Sequence, residues 1–294
     1  MVTGQKRSVT ETNTTEISER GTVIMVDSIS RDGMDLGITD RTAVVTGGGG
    51  RIGGEDCRKL AEEGVNVVPL DVDEDGAAQV AEEINETAGG GNAMAVACDL
   101  TDRADVSESI GDVRDEFGGV DILVNNAAMV DARARIGDFE DDVWDRDVEI
   151  NLTGTYNISK EVFPRMCERG WGRVINMSSM AGWYGGFGQF SYSATKAAMI
   201  GVGKTMALEG AQAGVTSNVI APNIVVGEWS DMDPDELREN VDPYFARIAE
   251  ATPMRALGSE ADVADMITYL SSEQAGYVTG QVIGVTGGVD LFSF

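Results

Sequence analysis

Ser179, Tyr192 and Lys196 are the residues of this chain best suited to chemistry. They stand in Asn176-Met-Ser-Ser-Met-Ala-Gly182 and in Tyr192-Ser-Ala-Thr-Lys196. Tyrosine and lysine four apart share one face of a helix. A free phenol loses its proton near pH 10, and an ammonium held beside it favours the phenolate and lowers that value. A serine hydroxyl close by can hold a carbonyl or alcohol oxygen in line. Together the three make an acid/base device for interconverting C=O and CH–OH. The chain contains no histidine, which excludes an imidazole base and a histidine-ligated zinc. A lone Y-x-x-x-K is usually a helix surface pair, so the surrounding elements must decide whether this one is a site.

Those elements alternate from residue 41 onward. Thr42 to Thr46 is a short apolar strand, 51–63 a helix ending near Gly64, and Val65 to Leu70 a second strand. Helix 76–87 and the turn Gly89-Gly90-Gly91 lead to a strand at 93–97, helix 103–117 and a buried strand from Asp121 to Val124. A long helical region over 141–169 is followed by strand Val174 to Met177, helix 190–212 and strand Ser217 to Ala221. After a variable segment, 223–258, come helix 260–271 and a last strand near 281–285. Such alternation predicts an α/β fold, with helices on both faces of a parallel sheet. Ligands then bind beyond the carboxyl ends of the strands.

The first strand runs into Thr46-Gly-Gly-Gly-Gly-Arg-Ile-Gly53 and then a helix. Glycines let the backbone turn tightly and approach a pyrophosphate, and the helix N-terminus supplies N–H groups and positive potential. Thr46, Gly47, Gly50, Arg51, Ile52 and Gly53 are therefore candidate cofactor residues. Asp71, closing the second strand, can accept both ribose hydroxyls of an adenosine and repel a 2′-phosphate, which favours NAD over NADP. Asp73 and Asp75 are rivals for this role. Arg51 argues the other way, as a cation able to help neutralise a 2′-phosphate. Asp99 and Leu100, ending the third strand, can read an adenine edge. Asn125-Asn-Ala-Ala128 ends the fourth with small residues that let a flat ring and ribose pass.

These motifs together resemble the short-chain dehydrogenase/reductase family, single-domain type, over roughly residues 41–290. Asn151 and the tail Tyr277-Val-Thr-Gly-Gln-Val-Ile-Gly-Val-Thr-Gly-Gly288 add to the likeness. The resemblance implies a Rossmann-like doubly wound sheet of about seven strands, a nicotinamide cofactor and a homotetramer. It implies Tyr192 as acid/base, Lys196 lowering its pKa and binding the nicotinamide ribose, and Ser179, rather than Ser178, orienting the substrate oxygen. Asn151 would hold a water in a relay with Lys196, and Pro222 and Val225 would lie along the cofactor. Some residues depart from the family pattern. Arg51 replaces the second loop glycine, as in some members that use NADP. Ala128 stands for a usual glycine, Asn223 follows Pro222 in place of glycine, and Gly227 occupies a common threonine position.

The implied reaction is reversible hydride transfer between a nicotinamide and a carbonyl carbon. A 3-oxoacyl thioester or 3-hydroxyacyl substrate leads. A sugar or secondary-alcohol dehydrogenase is an alternative, and a non-enzymatic nucleotide-binding regulator is an alternative of another class. Trp183, Tyr184, Phe187 and Phe190 could wall the substrate pocket, with ordinary packing or a subunit contact as the competing explanation. Residues 225–250, with Trp229, Tyr244 and Phe245, resemble a substrate lid. Arg133 and Arg135 could attract an acidic or phosphate-bearing substrate or simply pair with local carboxylates.

The totals set the remaining bounds. The 294 residues suffice for one large domain. Residues 1–40, rich in Ser, Thr, Asp and Glu, read as a flexible extension to a single catalytic domain over 41–294. The only cysteines are Cys57, Cys98 and Cys167, with no metal-type spacing. With no signal or membrane segment visible, this points to the cytoplasm. Fifty acidic residues face 22 basic ones, a net charge of −28, and the lysines are only Lys6, Lys59, Lys160, Lys196 and Lys204. Such a field repels nucleic acid and anionic membranes. The acid is spread along the chain rather than blocked, which predicts adaptation to molar salt, where the Debye length is about 3 Å.

Overall fold

A computed structural model describes residues 35–87, 90–130 and 133–291. Seven parallel strands form one sheet in the order β3-β2-β1-β4-β5-β6-β7. They are β1 (Thr42–Thr46), β2 (Asn66–Asp71), β3 (Val96–Ala97), β4 (Ile122–Asn125), β5 (Gly172–Met177), β6 (Val215–Pro222) and β7 (Val282–Val285). The strand order reverses between β1 and β4, and the carboxyl ends of those two strands open a crevice there.

Alternate residues of each central strand feed opposite cores, as a pleated strand requires. Ala43 and Val45 of β1, Ile122 and Val124 of β4, and Ile175 and Met177 of β5 enter one core. Helices α1 (Arg51–Glu62), α2 (Glu74–Glu86) and α10 (Glu260–Ser271) close that core, through Leu60, Val80 and Ile267 among others. Val44, Leu123 and Val174, from the same strands, enter the other. Helices α3 (Arg103–Phe117), α5 (Thr155–Arg169) and α7 (Phe190–Gly210) cover it with Ile110, Ile158 and Met206. The fold is therefore the Rossmann-like doubly wound sheet expected.

Several expectations need adjustment. The helical region 141–169 is α4 (Asp141–Val148), a π-helical stretch Glu149–Gly154, and then α5. The third strand is only Val96–Ala97, with a separate bridge between Val67 and Ala93. A short helix, α6 (Met180–Tyr184), follows β5. The variable segment contains α8 (Pro234–Asn240) and α9 (Pro243–Ala251). Each begins with Asp capping the helix and Pro in its first turn, a start signal the composition carried. Val226, Leu237, Ala246, Ala249 and Leu257 give this segment a small core of its own. The expected extension lies outside the described residues as far as residue 34, as does Gly89 of the glycine turn. Leu36 to Asp40 belong to the folded unit, with Ile38 only 1% exposed in the core.

Candidate active site

The crevice at the β1–β4 switch point is a cavity of about 1000 Å³. Gly47, Gly50, Arg51, Ile52 and Gly53 line one end, and Ser179, Tyr192 and Lys196 line it as well. Gly47 has φ +68°, a left-handed conformation that glycine tolerates. A side chain on Gly53 would come within 2.2 Å of the Gly47 carbonyl oxygen, so the loop closes this tightly only with glycine there. Gly50 caps α1 without a side-chain hydrogen bond, and the first turn holds no acid. The N–H groups of that turn thus remain available to an anion.

Asp71 lies on the same cavity. Its Oδ2 accepts from Gly49 N at 3.0 Å and its Oδ1 from Asp73 N at 3.0 Å, leaving further lone pairs for hydroxyl donors. The rivals have other work or other places: Asp73 caps α2 by accepting from Gly76 N, and Asp75 sits in that helix's first turn. Asp99 and Leu100 line the cavity too, and Asp99 Oδ1 accepts from the Thr101 N–H and hydroxyl at 2.9 and 2.8 Å. Ala127, Pro222 and Val225 complete the expected lining. These features fit a dinucleotide: an open helix N-terminus for the phosphates, a carboxylate for the ribose and small residues beside a flat ring.

Two expected cofactor residues lie behind the wall instead. Thr46 Oγ1 donates to the Val124 carbonyl at 3.2 Å and accepts from Asn126 N and Ala127 N at 3.0 and 3.1 Å. It splices the ends of β1 and β4. Asn125 Nδ2 donates to Asn176 Oδ1 at 2.9 Å and Ser159 Oγ at 3.2 Å inside the core. Asn126, the next residue, lines the crevice in its place.

Among the expected catalytic residues, Ser179 caps α6, its Oγ accepting from Ala181 N at 3.1 Å. Ser178 is occupied elsewhere: its Oγ donates to the Lys196 carbonyl at 2.7 Å and ties β5 to α7. Lys196 is buried, and its Nζ donates to the Met177 carbonyl at 2.7 Å. Its nitrogen lies 5.8 Å from the Tyr192 ring centroid. Burial pushes the Lys196 ammonium down to about 8. Burial also pushes the Tyr192 phenol above its ordinary value, with the Ser179 hydrogen bond acting in the opposite sense. Burial thus acts on Tyr192 against the acidification expected from its cationic neighbour. Lys196 spends its hydrogen bond on β5.

Asn151 is buried in the π-helical stretch. Its Oδ1 accepts from Met129 N at 2.7 Å; its Nδ2 donates to Met129 O at 3.1 Å and to Thr195 Oγ1 at 3.2 Å. Its side chain thus pins the loop after β4 to the helix that carries Tyr192 and Lys196.

The aromatic run expected to wall the pocket does not do so. Phe187 is 86% exposed, Tyr184 is exposed, and Phe190 stacks on Trp144 and Phe139. Trp183 packs edge-on to Tyr184. Tyr244 and Phe245 of α9 and Arg133 do line the cavity, whereas Trp229 stacks behind Phe245 and Arg135 lies over Phe187. Glu260, which sequence reasoning missed, lines the cavity and pairs with Arg51. Only its place at a helix start beside the glycine loop could have signalled it.

A profile for short chain dehydrogenases matches residues 41–237. The chain belongs to the short-chain dehydrogenase family. It is 36% identical over 251 residues to the 3-oxoacyl-[acyl-carrier-protein] reductase FabG of Staphylococcus epidermidis, covering 85% of this chain and 99% of that one. It is 35% identical over 259 residues to the (2S)-[(R)-hydroxy(phenyl)methyl]succinyl-CoA dehydrogenase subunit BbsD of Thauera aromatica, covering 88% and 100%. A crystal structure of an NAD⁺-bound xylitol dehydrogenase superposes with a TM-score of 0.77 at 29% identity, covering 85% of this chain and 99% of that one. This family member is an NAD(P)-dependent oxidoreductase.

Proposed function

We propose that this enzyme interconverts a 3-oxoacyl and a 3-hydroxyacyl thioester with NAD(H) as the preferred cofactor. One observation carries the reaction type: Ser179, Tyr192 and Lys196 open onto the same cavity as the glycine loop and Asp71. The dinucleotide, when bound, supplies or accepts the hydride. Tyr192 Oη gives a proton to the substrate oxygen in reduction and takes it back in oxidation. Its raised pKa keeps that proton in place at neutral pH, which suits reduction. Ser179 Oγ holds the substrate oxygen against Tyr192. Lys196, charged below about pH 8, stabilises negative charge as the proton leaves and can hold the nicotinamide ribose. Asn151 would hold a water in a relay with Lys196 that returns the proton from solvent.

The thioester reading leans on the acyl-carrier-protein and CoA esters named for the Staphylococcus and Thauera relatives. A polyol or secondary alcohol is the second reading, favoured by the likeness to xylitol dehydrogenase. For the cofactor, Asp71 faces the crevice and Arg51 is already paired with Glu260, both of which disfavour a 2′-phosphate. We extend the proposal to a cytoplasmic homotetramer, since Phe187, Leu208 and Tyr277 present large exposed apolar surfaces that self-association would cover.

The test is a spectrophotometric screen of NADH and NADPH against acyl thioesters, sugars and ketones, with Tyr192→Phe as control. General acid/base help is worth about 10²–10⁴-fold, so the variant should lose at least that in turnover while still binding dinucleotide. Near-normal turnover by Tyr192→Phe would remove the mechanism. Cofactor binding with no turnover of any class would favour a regulator.

A further inference from the structure

We propose that the substrate carries an anionic group, a carboxylate or a phosphate, held against Tyr244 between Arg133 and Arg247. The inference rests on the carbonyl–alcohol reading of the Ser179, Tyr192 and Lys196 site and adds a second point of attachment to it.

Three observations converge on Tyr244. First, the crevice adjoins a smaller cavity of about 390 Å³, and Asn223, Ile224 and Tyr244 line both. A molecule reacting at Tyr192 therefore has room to extend past Tyr244. Second, a guanidinium stands on either side. Arg133 lines the crevice and lies 5.8 Å over the Tyr244 ring. Arg247 lines the smaller cavity and follows Tyr244 by one turn of α9. The loop bearing Arg133 is anchored, since Ala134 N donates to the Gly188 carbonyl at 3.0 Å.

Third, neither cation is held by a carboxylate among the described residues, a state shared with Arg103, Arg135, Arg165 and Arg255, none of which lines either cavity. With 50 acids against 22 bases, arginines such as Arg41, Arg51, Arg58, Arg169, Arg173 and Arg238 are all held by carboxylates. No acidic side chain lines the smaller cavity; the acids of the crevice are Asp71, Asp99, Glu149 and Glu260, the last paired with Arg51. A protein of net charge −28 repels anions at long range. Two uncompensated guanidiniums at the end of its pocket reverse that locally, and their planar forks suit carboxylate or phosphate oxygens.

The anion has two possible sources, the phosphates of a CoA-type carrier or a carboxylate on a short oxo acid. The test compares acetoacetyl-CoA, acetoacetate and the neutral N-acetylcysteamine thioester of acetoacetate on the full chain, with Arg133→Gln, Arg247→Gln and the double variant. Losing charge-assisted bonds should raise KM for the substrate that uses the site about ten-fold or more, with little change in kcat and none for the neutral thioester. A rise confined to acetoacetyl-CoA assigns carrier phosphates; a rise for acetoacetate assigns a carboxylate. Unchanged KM for both anions, or an equal rise for the neutral thioester, overturns the inference. Calorimetric binding of CoA and acetoacetate separates it from the thioester reading. Arginine-dependent binding without turnover upholds the anion site and sinks the reductase assignment, and no binding of either anion overturns the site.

Discussion

Arg51 and Glu260 stand 209 residues apart in the chain and form an ion pair on the wall of the crevice. Arg51 opens α1 directly after the glycine loop, and Glu260 opens α10. The carboxylate also fills the space that a side chain on Gly227 would need. The one cation that could welcome a 2′-phosphate at the loop is thus engaged by the protein's own acid.

This pairing predicts a graded change in cofactor choice. Asp71→Ala should weaken NAD by about ten-fold, the loss of one or two hydrogen bonds to a charged group, and narrow its advantage over NADP. Glu260→Gln should free Arg51 and strengthen NADP while leaving NAD nearly unchanged. Fluorescence titration of both dinucleotides reads the outcome. If Asp71→Ala leaves both affinities where they were, the ribose assignment is wrong.

Lys196 carries a pH signature. Its folded pKa of about 8 lies below the ordinary lysine value near 10.4. Between those values the unfolded chain binds a proton that the folded protein does not, so this group makes stability rise with pH across that window. Lys196→Met removes the effect. The difference in Tm between wild type and variant should therefore move in favour of wild type from pH 8 to pH 10. Turnover of the variant should fall about 10²-fold or more. A Tm difference flat across this window would refute the assignment.

Asp56 is a second buried group with a stability consequence. It is fully buried in α1, and neither carboxylate oxygen has a hydrogen-bond partner. Burial first, and the neighbouring Glu55 charge second, push its pKa well above the ordinary range. A raised carboxyl pKa gives stability that is complete below the unfolded value of about 3.9 and lost as pH rises through the folded value. At pH 8 the group is a liability. Asp56→Val should raise stability by about 1–3 kcal/mol there and by less at pH 5, as read by thermal melts. An equal or lower Tm for the variant at pH 8 would contradict this.

The acidic surface predicts salt dependence. At 0.1 M salt the Debye length is about 10 Å and at 1 M about 3 Å, so raising salt screens repulsion across a net charge of −28. Tm should climb steadily from 0.1 to 2 M KCl, and activity should fail first in dilute buffer. Full stability in dilute buffer would count against adaptation to salt.

Much of the site was legible because it is local. Tyr192 and Lys196 share a helix face by spacing alone, and the glycines of Thr46 to Gly53 announce a strand-to-helix turn that a phosphate can approach. Asp71 followed from its place at the end of the second strand. What failed is as instructive. Thr46 and Asn125 belong to the right turns yet face inward, because a strand end alternates sides and a one-residue difference decides which side chain meets the crevice. Trp183 to Phe190 lie between two of the proposed catalytic residues in sequence and still do not line the cavity, since the intervening α6 and its turn carry them elsewhere.

By itself, then, the order of residues determined the alternation of strands and helices, the glycine turn and the chemical triad, all set by periodicity and backbone sterics within a few neighbouring residues. Only the tertiary structure decided that Glu260 meets Arg51, that Arg133 and Arg247 flank Tyr244, and that Tyr192 and Lys196 are desolvated enough for burial to govern their protons. Those outcomes depend on distances between segments remote in the chain and on how much water each charge retains, and neither quantity is written in local spacing.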